Sequence, residues 1–89
     1  METCRRVFYE GYVQGVGFRY RATQIASDYS VTGFVKNLPD GRVELVAEGE
    51  ESEVREFLDR VKESMSQHIR RAEESREPCS HEYADFSIG

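Results

Sequence analysis

Apolar and polar positions alternate with period two in some stretches and recur every three to four residues in others. The switches between these periods divide the chain into elements. Residues 4–13, CRRVFYEGYV, alternate as a strand, with Val7, Tyr9 and Val13 on one face and Phe8, Glu10 and Tyr12 on the other. Residues 18–29 carry Phe18, Ala22, Ile25 and Tyr29 on one helical stripe. Residues 31–38, VTGFVKNL, predict a second strand, and Pro39-Asp40-Gly41 predicts a hairpin turn. Residues 42–48 alternate again, with Val43, Leu45 and Ala47 inward and Arg42, Glu44 and Glu48 outward to solvent. Gly49 closes that strand.

Val54, Phe57, Leu58, Val61 and Met65 then predict a helix over 51–65, with Ser52 as N-cap and acids at 50, 51 and 53 suiting its positive end. The last segment is less regular. QHIRRAEES suggests a polar edge strand around Ile69, Pro78 breaks it, and residues 82–88 suggest a final strand through Tyr83, Phe86 and Ile88. The order is β-α-β-β-α-β, with room for a short fifth strand. Two helices cover one face of a sheet, so the expected class is α/β (α+β). The architecture is a ferredoxin-like two-layer sandwich with a mostly antiparallel sheet.

Length and composition narrow the classes. A chain of 89 residues predicts a single domain over 1–89 that buries about 64% of its unfolded surface, enough for one core. No apolar run reaches the length of a membrane span, and METCRRVFYE lacks the core of a signal peptide, so a cytoplasmic protein with no membrane partner is expected. The net charge of −5 argues against a general nucleic-acid binder. The charge is uneven: residues 1–21 are net +2, whereas residues 40–63 hold nine acids against four bases. A locally basic first unit on an acidic body suits a small anion better than a long polyanion. Cys4 and Cys79, with His68 and His81, have no metal-ligand spacing, and they read as packing or surface residues. An even cysteine count alone allows a Cys4–Cys79 bridge.

The segment GYVQGVGFR, residues 11–19, carries the most chemistry. It joins a strand to a helix through a glycine-bearing turn whose backbone N–H groups point outward, where they can surround an anion. Arg19 stands at the positive end of the helix dipole, an arrangement disfavoured by roughly 0.3–1 kcal/mol unless an anion resolves it. Residues Gln14, Gly15, Val16, Gly17, Phe18 and Arg19 therefore predict a phosphate cradle. A tight βα turn with a solvated arginine explains the same residues equally well. Asn37 ends an apolar strand, although asparagine is depleted in strands. By itself it reads as a local hairpin cap, and a role beside the loop requires the second strand to lie near it.

Lys36 and the Glu44–Glu48 pair read as solvated surface, Phe8, Tyr12 and Phe34 as sheet packing, and Arg21 as added positive potential beside the loop. No nucleophile elbow, Walker lysine or metal cluster is present in the sequence. Any chemistry must work by positioning and electrostatics. An acyl phosphate suits such a site, because its leaving carboxylate has a conjugate acid of pKa about 4–5 and needs no proton donor.

GYVQGVGFR (11–19) and GFVKNLPDGRVE (33–44) resemble the two signature segments of the acylphosphatase family, at matching spacing and chain length. The resemblance implies hydrolysis of a carboxyl-phosphate bond without metal or cofactor, by a monomer acting on a small-molecule acyl phosphate. It implies that Arg19 binds the phosphoryl group, that the amides of 15–19 form the cradle, and that Asn37 orients the attacking water. Ser30 in place of a common glycine, Phe34 in place of tryptophan or tyrosine, and the charged segment 70–77 with Pro78 depart from the family pattern. Two other readings stand beside it. One is a non-catalytic phosphate-binding module of the kind that fronts larger carbamoyl-transferring enzymes. There proline usually follows the arginine, and here Tyr20 does. The other is an RNA-binding sheet, from a faint similarity of GVGFRY to an RNA-recognition signature that belongs on a strand rather than at a helix start.

Overall fold

The computed structural model describes all 89 residues, Met1–Gly89. Seven elements follow in order: β1 (Glu2–Gly11), α1 (Phe18–Ala26), β2 (Val31–Asn37), β3 (Val43–Glu50), α2 (Glu51–Ser64), β4 (Ile69–Glu77) and β5 (Phe86–Ile88). The sheet order is β4-β1-β3-β2-β5. Every pairing is antiparallel except that of β2 with β5. This is the expected ferredoxin-like sandwich, with the short fifth strand added beside β2.

Register assigns the faces. Tyr9 lies opposite Val43, and Val43 lies opposite Asn37. Residues directly opposite one another share a face. Val7, Tyr9, Val35, Val43, Leu45 and Ala47 therefore point together toward the helices. They meet Phe18, Ala22 and Ile25 of α1 and Val54, Phe57, Leu58 and Val61 of α2 in one core cluster. Phe57 is fully buried and packs edge-on against Phe86, with ring centroids 5.2 Å apart. That contact anchors β5 to the helical layer.

The opposite face corrects one expectation. Glu44 and Glu48 are 8% and 4% exposed, not solvated. Glu44 is paired with Arg6 and lies 3.6 Å from Lys36. Glu48 accepts backbone N–H bonds from Ser80 at 2.8 Å and His81 at 3.0 Å. The segment leading into β5 crosses over this face and covers it, which alternation within β3 cannot reveal. The Lys36 ammonium also sits over the Phe34 ring, 5.4 Å from its centroid, so Lys36 is a packed surface residue.

Smaller differences have local causes. α1 ends at Ala26, and successive turns bonded from Asp28 to Ile25 and from Tyr29 to Ala26 carry Tyr29 onto the core. Ser52 lies inside α2, because Glu50 takes the cap position and no side chain bonds there. Tyr12 is 77% exposed, because the strand has ended at Gly11. β4 is longer than its one large apolar residue, Ile69, suggested, and it is an edge strand rich in charge, which suppresses pairing with other chains.

Candidate active site

The loop joining β1 to α1 is held at both ends. Gly11 adopts φ +127°, where an added Cβ would sit 2.5 Å from the His68 carbonyl oxygen, and Tyr12 donates its N–H to that same oxygen at 2.9 Å. Val13 and Phe18 are buried, 1% and 2% exposed, and the Phe18 ring lies 4.9 Å from that of Tyr9. Gly15, Val16 and Gly17 between them arch outward and are exposed. Gly17 is the N-cap of α1 at φ +79°, and no side chain caps the helix. The first turn of α1 contains no acid. Its leading N–H groups are free to meet an external acceptor. In α2, by contrast, Glu51 and Glu53 occupy the first turn and Lys62 the last, in accord with the dipole.

Eight of the twelve Lys and Arg side chains meet a carboxylate. Arg19, Arg21, Lys62 and Arg70 do not, and of these four only Arg19 is half-buried. Its backbone carbonyl takes the Thr23 hydroxyl at 2.8 Å, which braces the first turn.

Arg19 and Asn37 line one cavity of about 160 Å³, together with Val13, Gly15, Gly17, Phe18, Tyr20 and Ile88. Asn37 faces the helices at the end of β2, and its carboxamide oxygen is enclosed without a hydrogen-bond donor. A buried unpaired acceptor costs about 1–3 kcal/mol, so such an atom calls for a ligand or water. A larger hollow of about 470 Å³ lies on the other side of the sheet, lined by Phe34, Lys36 and Tyr83 among others. It contains no residue of the glycine loop. We assign the candidate site to the smaller cavity, because only there do free backbone donors, an unpaired base and an unpaired acceptor meet.

The remaining sequence candidates fall outside the cavity lining. Gln14 donates from Nε2 to the carbonyl oxygens of Leu38 at 2.8 Å and Arg42 at 3.0 Å, tying the loop to the β2–β3 hairpin. Val16 stands on the outer bend and is 38% exposed. Arg21 points into a different hollow with Arg60 and Glu63. Three lining residues, Val13, Tyr20 and Ile88, were absent from the sequence candidates. Val13 reads from the sequence as an inward strand residue only. Tyr20 gave a signal in being a large aromatic beside Arg19. Ile88 gave none, because its place depends on the parallel pairing of β5 with β2. No group of three His, Cys, Asp or Glu side chains is arranged so that it could hold a metal ion.

The acylphosphatase family profile matches residues 5–88. The chain belongs to the acylphosphatase family. An acylphosphatase from Lactobacillus johnsonii is 39% identical over 80 residues, covering 88% of each chain. One from Lactobacillus gasseri is 52% identical over 56 residues, and that alignment spans 63% of this chain and 62% of the relative. The crystal structure of acylphosphatase from Bacillus subtilis superposes with a TM-score of 0.86 at 33% identity, covering 100% of this chain and 99% of that one. A segment making up 12% of full-length HypF, in its phosphate- and nucleotide-bound form, superposes equally well at 30% identity. Acylphosphatase membership accounts for the shared fold. How this chain's own residues act is a separate question.

Proposed function

We propose that the protein hydrolyses acyl phosphates to a carboxylate and inorganic phosphate. The observation that carries this reading is the pairing, on one small cavity, of an arginine without a carboxylate partner and a carboxamide oxygen without a donor. The amides of residues 15–19 and the Arg19 guanidinium hold the phosphoryl oxygens. Their attraction grows as charge spreads over those oxygens in the transition state. The Asn37 oxygen accepts a hydrogen bond from a water and aims its lone pair at phosphorus, opposite the leaving carboxylate. The water–phosphorus bond forms as the bond from phosphorus to the acyl oxygen breaks. The carboxylate leaves unprotonated, and the water's proton passes to a phosphate oxygen. In this reading the protein works as a monomer, without metal, in the cytoplasm.

Hydrolysis of benzoyl phosphate by the purified protein in EDTA, followed by absorbance, tests the proposal. Turnover that collapses in Arg19→Ala and in Asn37→Ala is expected. Wild-type rates no higher than those of both variants would overturn it. The HypF superposition favours a second reading, a phosphate-binding module without turnover. Tight binding of inorganic phosphate with no hydrolysis in the same assay would establish that instead.

A further inference from the structure

Five large apolar side chains stand exposed in this protein: Met1, Tyr12, Val16, Tyr20 and Ile88. Single exposed apolar residues are ordinary. Their distribution here is not even. Tyr20, 65% exposed, and Ile88, 49% exposed, line the same cavity as Arg19 and Asn37, and Val16 lies in its loop.

Both side chains are held in place. Tyr20 sits in the first turn of α1, and its hydroxyl accepts a hydrogen bond from Gln24 Nε2, one turn on, at 3.3 Å. Ile88 lies opposite Val35 in the parallel β2–β5 pair, so it shares the helix-facing side with Val35 and Asn37. The Gly89 N–H donates to the Val35 carbonyl at 2.9 Å and closes the pair beyond it. An apolar residue on an edge strand and an apolar residue on a helix thus flank one polar floor.

Position gives this arrangement a direction. In the hydrolase reading the phosphoryl group lies against the loop amides and Arg19, and the acyl substituent extends from it toward the solvent-exposed side of the cavity, where Tyr20 and Ile88 stand.

We infer that Tyr20 and Ile88 receive the acyl group of the substrate and select aromatic and branched aliphatic acyl phosphates over the two-carbon one. The inference rests on the hydrolase reading of the same cavity. Burial of these two side chains against a benzoyl ring removes apolar surface that acetyl phosphate leaves wet.

The test compares kcat/KM for benzoyl phosphate with that for acetyl phosphate in the wild type, Tyr20→Ala, Ile88→Thr and the double variant. It also measures the inhibition constant of inorganic phosphate in each. Alanine suits a helix and threonine keeps the β-branch, so both exposed positions tolerate the change. A partly open apolar wall discriminates less than the 10- to 200-fold of a closed pocket, so the double variant should lose about fivefold in the benzoyl-to-acetyl ratio. The loss should fall mainly on benzoyl phosphate, with acetyl phosphate turnover and the phosphate inhibition constant changing less than the ratio does. An unchanged ratio with both substrates turned over overturns the inference and leaves the hydrolase reading standing. An equal fall for both substrates also overturns it, because the two residues would then serve the phosphoryl end. Turnover of neither substrate by the wild type removes the hydrolase reading, and this inference with it.

Discussion

Gln14 Nε2 donates to the Leu38 carbonyl oxygen at 2.8 Å, across the gap between the glycine loop and the residue that follows Asn37. The same nitrogen reaches the Arg42 carbonyl at 3.0 Å, on the far side of the hairpin turn. One side chain thereby fixes the spacing between the loop that carries Arg19 and the strand that carries Asn37. Gln14 was expected in the cradle, but its side chain holds the two halves of the cavity together.

Removing that link should cost activity out of proportion to stability. In Gln14→Ala two carbonyl oxygens lose a donor, so stability falls by about 1–2 kcal/mol. A displacement of 1 Å at the reacting centre is worth up to ~100-fold in rate, so kcat should fall by at least about tenfold. Urea denaturation beside steady-state kinetics checks both. A fall in kcat no larger than the stability loss accounts for would show that Gln14 is only a brace.

Arg19→Ala should separate function from stability in the opposite sense. The variant should lose about 100- to 1000-fold in kcat. Without phosphate, its stability should match or exceed that of the wild type by about 0.3–1 kcal/mol, because a cation leaves the positive end of α1. Inorganic phosphate at a hundred times its Kd should stabilise the wild type by about 2.7 kcal/mol and the variant not at all. Thermal melts with and without phosphate read all of this except kcat.

Glu48 should hold down the C-terminal segment. In Glu48→Ala the N–H groups of Ser80 and His81 lose their acceptor, at a cost of about 2–3 kcal/mol for bonds to a charged group. Amide exchange should quicken first in residues 78–88, because this segment depends on that carboxylate and on the Phe57–Phe86 contact. Uniform acceleration across the sheet would show a global effect instead.

Cys4 predicts a loss of stability in alkali. Burial, reinforced by Glu48, pushes its thiol up to about 11 from 9.0. Between those values the unfolded chain releases the thiol proton and the folded chain keeps it, so stability falls as pH rises. Below pH 9 the contribution is fully present, and up to roughly 2–3 kcal/mol is lost by pH 11. Burial raises the Tyr9 phenol as well, so the measurement is the difference between wild type and Cys4→Ala in urea at pH 7, 9 and 10.5. The wild type should lose more than the variant over that range, and parallel losses would refute the assignment.

Much of this was legible in local patterns. The period changes at Val13 and Phe18, and the Pro39-Asp40-Gly41 turn, placed the loop and the hairpin within a few residues of where they lie. The helix dipole makes Arg19 anomalous from the sequence alone. These signals are local because backbone sterics, helix periodicity and dipole orientation act over one or two turns of chain.

Other features depended on distant chain. Glu44 and Glu48 alternate like solvent-facing residues, yet Arg6 and Lys36 partner Glu44 and the Ser80–His81 backbone caps Glu48. Asn37 by itself reads as a hairpin cap, and only the β1–β3–β2 register turns it toward the helices. Ile88 enters the cavity because β5 pairs in parallel with β2. The order of residues determined the elements, their turns and the misplaced positive charge. Tertiary structure decided which strands meet and in what register. Because side chains on a strand alternate between faces, that register settles which residues share the cavity.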